Sequence, residues 1–272
     1  MNIIKNKFNA VPYVVWMIIF TIVPLALIVW YAFTNSDGMF TLESFSQIGK
    51  YWSVFGKSIN LAFISTVICL LIAYPVAYIL SKIPTHAQNT FLLLLMLPMW
   101  MNFLLRTYAW VTLLENEGLI NKFLGLFGIG PFEMINTSGA VVVGMVYNFL
   151  PFMILPLHSV MLKIDKSVIE AAQDLGANKA NVLVRVLIPL SLPGIVTGIT
   201  MVFVPAVSTF VISRMLGGGS VYLIGDLIEN QFLGAAYNPY MGSAISLVLM
   251  VIILLIMGIM NSVDGDMEEM LV

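Results

Sequence analysis

Six runs of about twenty apolar residues recur along this chain, each long enough to cross the roughly 30 Å hydrocarbon core of a bilayer at about 1.5 Å per helical residue. They lie at Val11–Phe33, Ser58–Leu80, Phe91–Leu113, Gly139–Leu162, Pro193–Leu216 and Met241–Met260. Soluble domains carry about 25% charged residues. Here 10% of 272 residues are charged and 60% are hydrophobic, so lipid must be the solvent for most of the surface. Lipid offers no partner to a bare backbone N–H or C=O, which makes each span a helix. The expected fold class is all-α: a polytopic membrane protein with about six transmembrane helices, forming a single transmembrane domain over residues 1–272. Pro24, Pro75, Pro98, Pro151, Pro156 and Pro205 sit in or near the spans and are expected to kink them without breaking them.

Lys5 and Lys7 precede the first run, in the manner of a signal peptide. That run exceeds an ordinary signal h-region and no small-x-small cleavage site follows, so it reads as an uncleaved first span. Placing the N-terminus inside puts Lys5, Lys7, Lys82, Lys163, Lys166, Lys179 and Arg185 on the inner side. Lys50, Lys57, Lys122, Arg106 and Arg214 then fall outside or near outer span ends. Both termini are expected in the cytoplasm, although the acidic tail Asp264–Glu269 lacks a basic anchor. Asp37, Glu43, Glu115, Glu117, Glu133, Asp226 and Glu229 fall in outer loops. They form either an acidic vestibule that attracts cations or ordinary solvated loop charge. The stretch Asn121–Gly130 reads as a short amphipathic helix lying on the outer surface.

Several function classes are excluded or disfavoured. A net charge of -2 gives no case for nucleic acid. Proton- or sodium-coupled carriers use midplane carboxylates or broken helices, and neither is evident here. Arg106 is the main ionisable residue in a span, close enough to an end to snorkel. No Walker-type phosphate loop occurs, and Gly217-Gly218-Gly219-Ser220 reads as a flexible outer turn. His86 and His158 are isolated, and no His, Cys and Asp cluster has metal-ligand spacing. Cys69 is the one cysteine, which rules out an intrachain disulfide and suits a small buried hydrophobe. No catalytic set can be assembled, so the chain is expected to be no enzyme, with no catalytic residue, no metal and no cofactor of its own.

The inner loop at residues 163–190 is the informative segment. It reads as two short helices meeting at Gly176. The first starts near Ser167 with Glu170 three residues on, a capping-box pattern. Ala171, Ala172 and Leu175 give it a small, smooth face, and Gly176 permits the left-handed turn that ends a helix. The second presents Val182, Val186 and Leu187 and is expected to stop at Pro189. From the residues alone the loop is either a helix that docks in a groove on another protein or a plain interfacial helix–turn–helix.

Glu170-Ala171-Ala172, Gly176, Ile188-Pro189 and Pro193-Gly194-Ile195 together resemble the EAA signature of binding-protein-dependent ABC importer permeases. The resemblance implies the type I importer (MetI-like) permease fold, with residues 163–190 as a cytoplasmic coupling loop that docks in a cleft of an ATPase. Glu170, Ala171, Ala172, Asp174, Gly176 and Ala177 would carry that coupling, with Asp174 and Arg185 either in polar contact or solvated. Implied partners are a second homologous permease, two ATPase subunits that use ATP and Mg, and an extracytoplasmic substrate-binding protein, and the implied location is a bacterial inner membrane. The segments Leu97–Trp110 (above all Arg106-Thr107-Tyr108-Ala109-Trp110), Leu150–Leu157, Leu216-Gly217-Gly218, Ile224-Gly225 and Gln231-Phe232 are similar to the polyamine (spermidine and putrescine) branch of the family. A polyamine needs carboxylates or aromatic faces that attract ammonium groups. Trp100, Tyr108 and Trp110 are therefore candidates to line its path, Trp100 and Trp110 lying about 15 Å apart along one straight helix. The bland alternative is an interfacial aromatic belt. Asp226 and Glu229 are candidate ammonium acceptors at the outer mouth, and Arg106 is expected to be neutralised by an outer-loop glutamate or a partner chain. Two alternatives remain at this stage: another small solute such as phosphate, sulfate or iron, and a carrier acting alone.

Overall fold

The structure, a computed structural model, describes the backbone of residues 11–271 and the side chains of residues 11–260 and 262. Lys5, Lys7 and the side chains of the acidic tail lie outside the described residues. Among the described residues there is no strand, only an antiparallel bridge between Thr34 and Phe40. The helices are α1 (Val11–Ala32), α2 (Glu43–Ile48), α3 (Trp52–Lys82), α4 (Thr85–Met96), α5 (Phe103–Leu114), α6 (Leu119–Gly125), α7 (Ser138–Met161), α8 (Lys166–Asp174), α9 (Lys179–Val182), α10 (Ile188–Ser208), α11 (Val211–Gly217), α12 (Ile224–Leu233) and α13 (Pro239–Leu271). Five helical stretches are long and apolar enough to span a membrane, and the pair Thr85–Trp100 and Phe103–Gly125, bent by 90°, supplies a sixth.

The chain forms two compact units. One comprises the chain up to Ser53 with Leu227–Leu254, and the other Val54–Asp226 with the residues from Leu255. In the first, a tight hairpin follows α1. The Asn35 side chain accepts the Asp37 and Met39 N–H groups at 3.1 and 2.9 Å, Gly38 takes the left-handed φ of 73° that the turn needs, and Phe33 stacks on Phe40. This folds the chain back on itself before α2 begins. At the start of α13, Asn238 caps the helix by accepting the Met241 N–H at 3.1 Å.

The second unit is built around α7 and α10. Gly194 and Gly198, four apart on α10, let the two backbones approach. A methyl group at Gly194 would lie 3.1 Å from the Pro156 carbonyl oxygen, and one at Gly198 would lie 2.6 Å from the Met153 sulfur. Such small-xxx-small faces suit lipid, where burial drives helices together only weakly. Several span hydroxyls bond back to carbonyls one turn earlier, as Ser65 does to Leu61, Thr66 to Ala62 and Thr200 to Val196, which pairs those donors within the helix.

Three expectations about the spans are corrected. The third span is not straight: Leu97–Trp100 tightens to a 3₁₀ turn, Met101 and Asn102 are extended, and Asn102 restarts the helix by accepting the Leu104 N–H at 2.8 Å. The fifth ends at Ser208, and after Thr209 and Phe210 the chain starts α11. Pro189 does not stop the helix that α9 begins, which runs from Lys179 to Ser208. A π turn at Leu183–Leu187 ends two residues before Pro189, and another at Ile18–Ile22 ends two residues before Pro24. The wider turn relieves the clash between the proline ring and the preceding carbonyl and leaves room for the missing N–H. The amphipathic segment forms too, as α6 over Leu119–Gly125, shorter than the expected Asn121–Gly130.

Candidate functional site

Helix α8 is defined at both ends and exposed between them. Its cap is Asp165 and not Ser167: the Asp165 carboxylate accepts the Ser167 N–H at 2.9 Å. Ser167 thus occupies the first turn, and the capping box expected with Glu170 does not form. That hydrogen bond holds the Asp165 carboxyl below its usual range. The cap is therefore fully present above the ordinary carboxylate pKa and is lost as acid protonates it. At the other end Gly176 takes φ 85°, its N–H bonds to the Gln173 carbonyl at 2.9 Å, and the Ala177 N–H reaches the Ala172 carbonyl at 3.0 Å. This is the paired closure of a Schellman turn. Asn178 then caps α9, accepting the Asn181 N–H at 2.8 Å, so the corner leads without slack into the helix that becomes α10.

No residue of α8 is buried, and Glu170, Ala171, Gln173 and Asp174 are exposed while Ala172 and Ala177 are half-covered. Leu175 is 90% exposed. A rigid, solvent-facing helix whose tip offers a bare leucine beside alanines has the form of a plug for a groove. Arg185 is exposed on the π turn that follows.

The aromatic candidates are divided by the bend. Trp100 is 78% exposed on the 3₁₀ turn, whereas Tyr108 and Trp110 belong to α5, so the 15 Å spacing along one straight span does not apply. Tyr108 is exposed, while Trp110 packs edge-on against Tyr147 at 5.3 Å in an apolar groove with Ile68, Val142 and Leu150. Arg106 is buried at 8% exposure and donates from Nη1 to the Pro98 carbonyl at 3.0 Å. Its guanidinium lies 5.6 Å from the Phe103 ring centroid and 6.0 Å from that of Tyr147. Among the described residues no carboxylate neutralises it. The cation instead meets the carbonyl end of the broken first half of the span, where the helix dipole is negative.

Asp226 is buried and accepts the Leu223 N–H at 2.9 Å, so its carboxylate shapes the loop entering α12. Nearby, Ser58 accepts the Ile224 N–H at 2.8 Å. Glu229 lies half-buried on α12. The glycine turn is tied down, contrary to the expected flexible one: Gly218 and Gly219 take φ 52° and 82°, and the Ser220 hydroxyl bonds to the Gly217 carbonyl at 2.6 Å. Among the described residues no group of three His, Cys, Asp or Glu is arranged to hold a metal.

The sequence reading passed over a polar cavity of about 590 Å³ lined by Tyr31, Asn35, Glu43, Gln47, Tyr237 and Tyr240 among others. Tyr31 ends α1 and Tyr240 opens α13, and their rings meet edge to face at 5.5 Å. The hydrogen-bonded hairpin after α1 sets Glu43 in the first turn of α2, its N–H bonded to the Thr41 hydroxyl at 3.2 Å. Its three tyrosines and one glutamate come from two stretches far apart in sequence.

Comparison with known proteins agrees with this geometry. Residues 4–269 match the family described as binding-protein-dependent transport system inner membrane component. The spermidine/putrescine transport system permease protein PotB of Haemophilus influenzae is 38% identical over 94% of this chain and 94% of its own. The protein of the same name from Escherichia coli is 37% identical over 87% of this chain and 90% of its own. Among solved structures, a chain of a bacterial ABC transporter involved in importing the acidic polysaccharide alginate superimposes with a TM-score of 0.81 at 15% identity, covering 96% of this chain and 95% of that one. At that identity the likeness shows the fold, and the fold is that of an ABC importer permease. With the family matched over residues 4–269 and relatives 37–38% identical over most of the chain, this chain belongs to the binding-protein-dependent transport system inner membrane components.

Proposed function

We propose that this chain is the permease subunit of an ATP-driven importer of polyamines, moving spermidine or putrescine inward by alternating access. The observation that carries the reading is α8: a capped helix with no buried residue in a chain 37–38% identical to permeases named for spermidine and putrescine. In this reading the chain pairs with a second, homologous permease. Two ATPase subunits bind and hydrolyse ATP with Mg on the cytoplasmic side, and a substrate-binding protein delivers cargo from outside. Both termini and residues 163–190 face the cytoplasm.

Glu170, Ala171, Ala172, Asp174, Gly176 and Ala177 form the contact with the ATPase. Small residues let α8 enter a groove, and the Gly176 corner turns motion of that groove into motion of α10. Trp100, Tyr108 and Trp110 offer aromatic faces to passing ammonium groups, and Asp226 and Glu229 add negative potential near the outer mouth. The permease needs no tight site, because the binding protein supplies affinity and the ATPase supplies free energy.

The test is uptake by the assembled transporter in proteoliposomes. Glu170→Lys or Gly176→Leu is expected to reduce ATP-dependent spermidine uptake at least about a hundredfold, while membrane insertion and permease pairing persist. A bulky side chain at φ 85° strains the corner, and a reversed charge faces the docking groove. Uptake surviving both changes would overturn the coupling assignment. ATPase activity stimulated by sulfate-loaded binding protein and by neither polyamine would overturn the cargo.

A further inference from the structure

The cavity between the hairpin after α1 and the start of α13 has the chemistry of an ammonium site. Among its lining residues Glu43 is the one charged side chain, and three tyrosines, Tyr31, Tyr237 and Tyr240, share the wall. The Glu43 carboxylate has spare capacity: Oε1 receives only a long 3.5 Å contact from the Gln47 amide, and Oε2 has no partner among the described residues. None of the three tyrosine hydroxyls makes a hydrogen bond among the described residues. An alkylammonium carries three donors, no acceptor and a compact positive charge. The cavity presents what it lacks: a carboxylate, phenol oxygens and the negative faces of aromatic rings. It offers no lysine, arginine or histidine that would suit an anion. A volume of about 590 Å³ falls within the range of about 300–1,000 Å³ usual for small-molecule sites.

The walls are built in advance of any ligand. The Asn35 turn, the Thr34–Phe40 bridge and the Thr41 hydroxyl fix the approach to Glu43. The Asn238 N–H bonds to the Gln231 carbonyl at 2.8 Å and its side chain caps α13, which fixes Tyr237 and Tyr240 on the other side. A preformed site loses little freedom when it binds.

We infer that this cavity receives a primary ammonium group on the extracytoplasmic side. The inference rests on the polyamine-import reading and deepens it. Two sources share the chemistry: the polyamine as it leaves the binding protein, and a lysine of the binding protein itself. Glu43 provides the counter-charge, and Tyr31 and Tyr240 provide the faces against which the ammonium sits.

The experiment uses the complete transporter in proteoliposomes with its binding protein. Uptake of spermidine is followed against the concentration of spermidine-loaded binding protein, and docking of the unloaded binding protein is measured separately. Glu43→Gln keeps the shape and removes the charge, and Glu43→Lys reverses it. A rise of about tenfold in the half-saturating concentration for Glu43→Gln, a larger one for Glu43→Lys and unchanged docking assign the site to the substrate. A comparable loss in docking of the unloaded protein assigns it to a lysine of the partner. Tyr240→Leu should shift the same quantity in the same direction. Wild-type uptake that both Glu43 variants leave unchanged would overturn the ammonium site alone. A wild-type transporter that moved no polyamine would overturn the cargo reading and this site with it.

Discussion

Arg106 holds together the ends of a broken helix. Its guanidinium gives the Pro98 carbonyl a charged second donor beside the Met101 N–H, while Asn102 caps the N–H end of α5 only a few residues away. One side chain adds a donor on the carbonyl side of the bend and the other an acceptor on its N–H side. Arg106→Leu removes the cation and its charge-assisted bond, leaving the carbonyl with the Met101 N–H alone. It is expected to lower stability by about 1–3 kcal/mol, and Asn102→Ala by about 1 kcal/mol, both read as earlier thermal unfolding of the purified protein. An Arg106→Leu variant as stable as the parent would contradict this role. The residue was visible in the sequence as an ionisable group in a span, but its partner was not. Carboxylates come to mind first for an arginine, whereas here the negative end is a backbone carbonyl exposed by a bend.

At the scale of elements, α10 leans on α7 through Gly194 and Gly198. Gly194→Val would push a branched side chain against the Pro156 carbonyl and Val160. The expected cost is about 1–3 kcal/mol, with Gly198→Ala milder because the Met153 thioether it meets is flexible. Unfolding of the two variants, compared side by side, checks the order. Existence and type of the spans were legible from hydropathy, since lipid allows little besides helices. Where they bend was not. A window average is blind to the extended residues Met101 and Asn102 or Thr209, and a proline read by itself does not tell a stop from a π turn. Gly176 was legible because the left-handed turn at that corner favours glycine, whereas the choice between Asp165 and Ser167 as the cap lay between two residues of similar propensity two positions apart. The tyrosine and glutamate cavity joins residues 31–47 to residues 237–241, a juxtaposition that local patterns do not encode.

For the molecule as a whole, large apolar side chains such as Trp16, Phe20 and Trp30 on α1 stay exposed, as befits a chain that finishes its packing against lipid. The purified chain, reconstituted by itself, is expected to hydrolyse no ATP and to move no labelled spermidine above the leak of empty vesicles. Transport by the chain alone would return it to the class of independent carriers. The helix from Lys179 to Ser208 is 30 residues long, a rod of about 45 Å. It has a glycine corner at one end and the Thr209–Phe210 break at the other. A pushrod mounted between two joints has no backlash. The far joint must answer in step with the near one, so in this transporter the two sides of the membrane would be kept on a single clock.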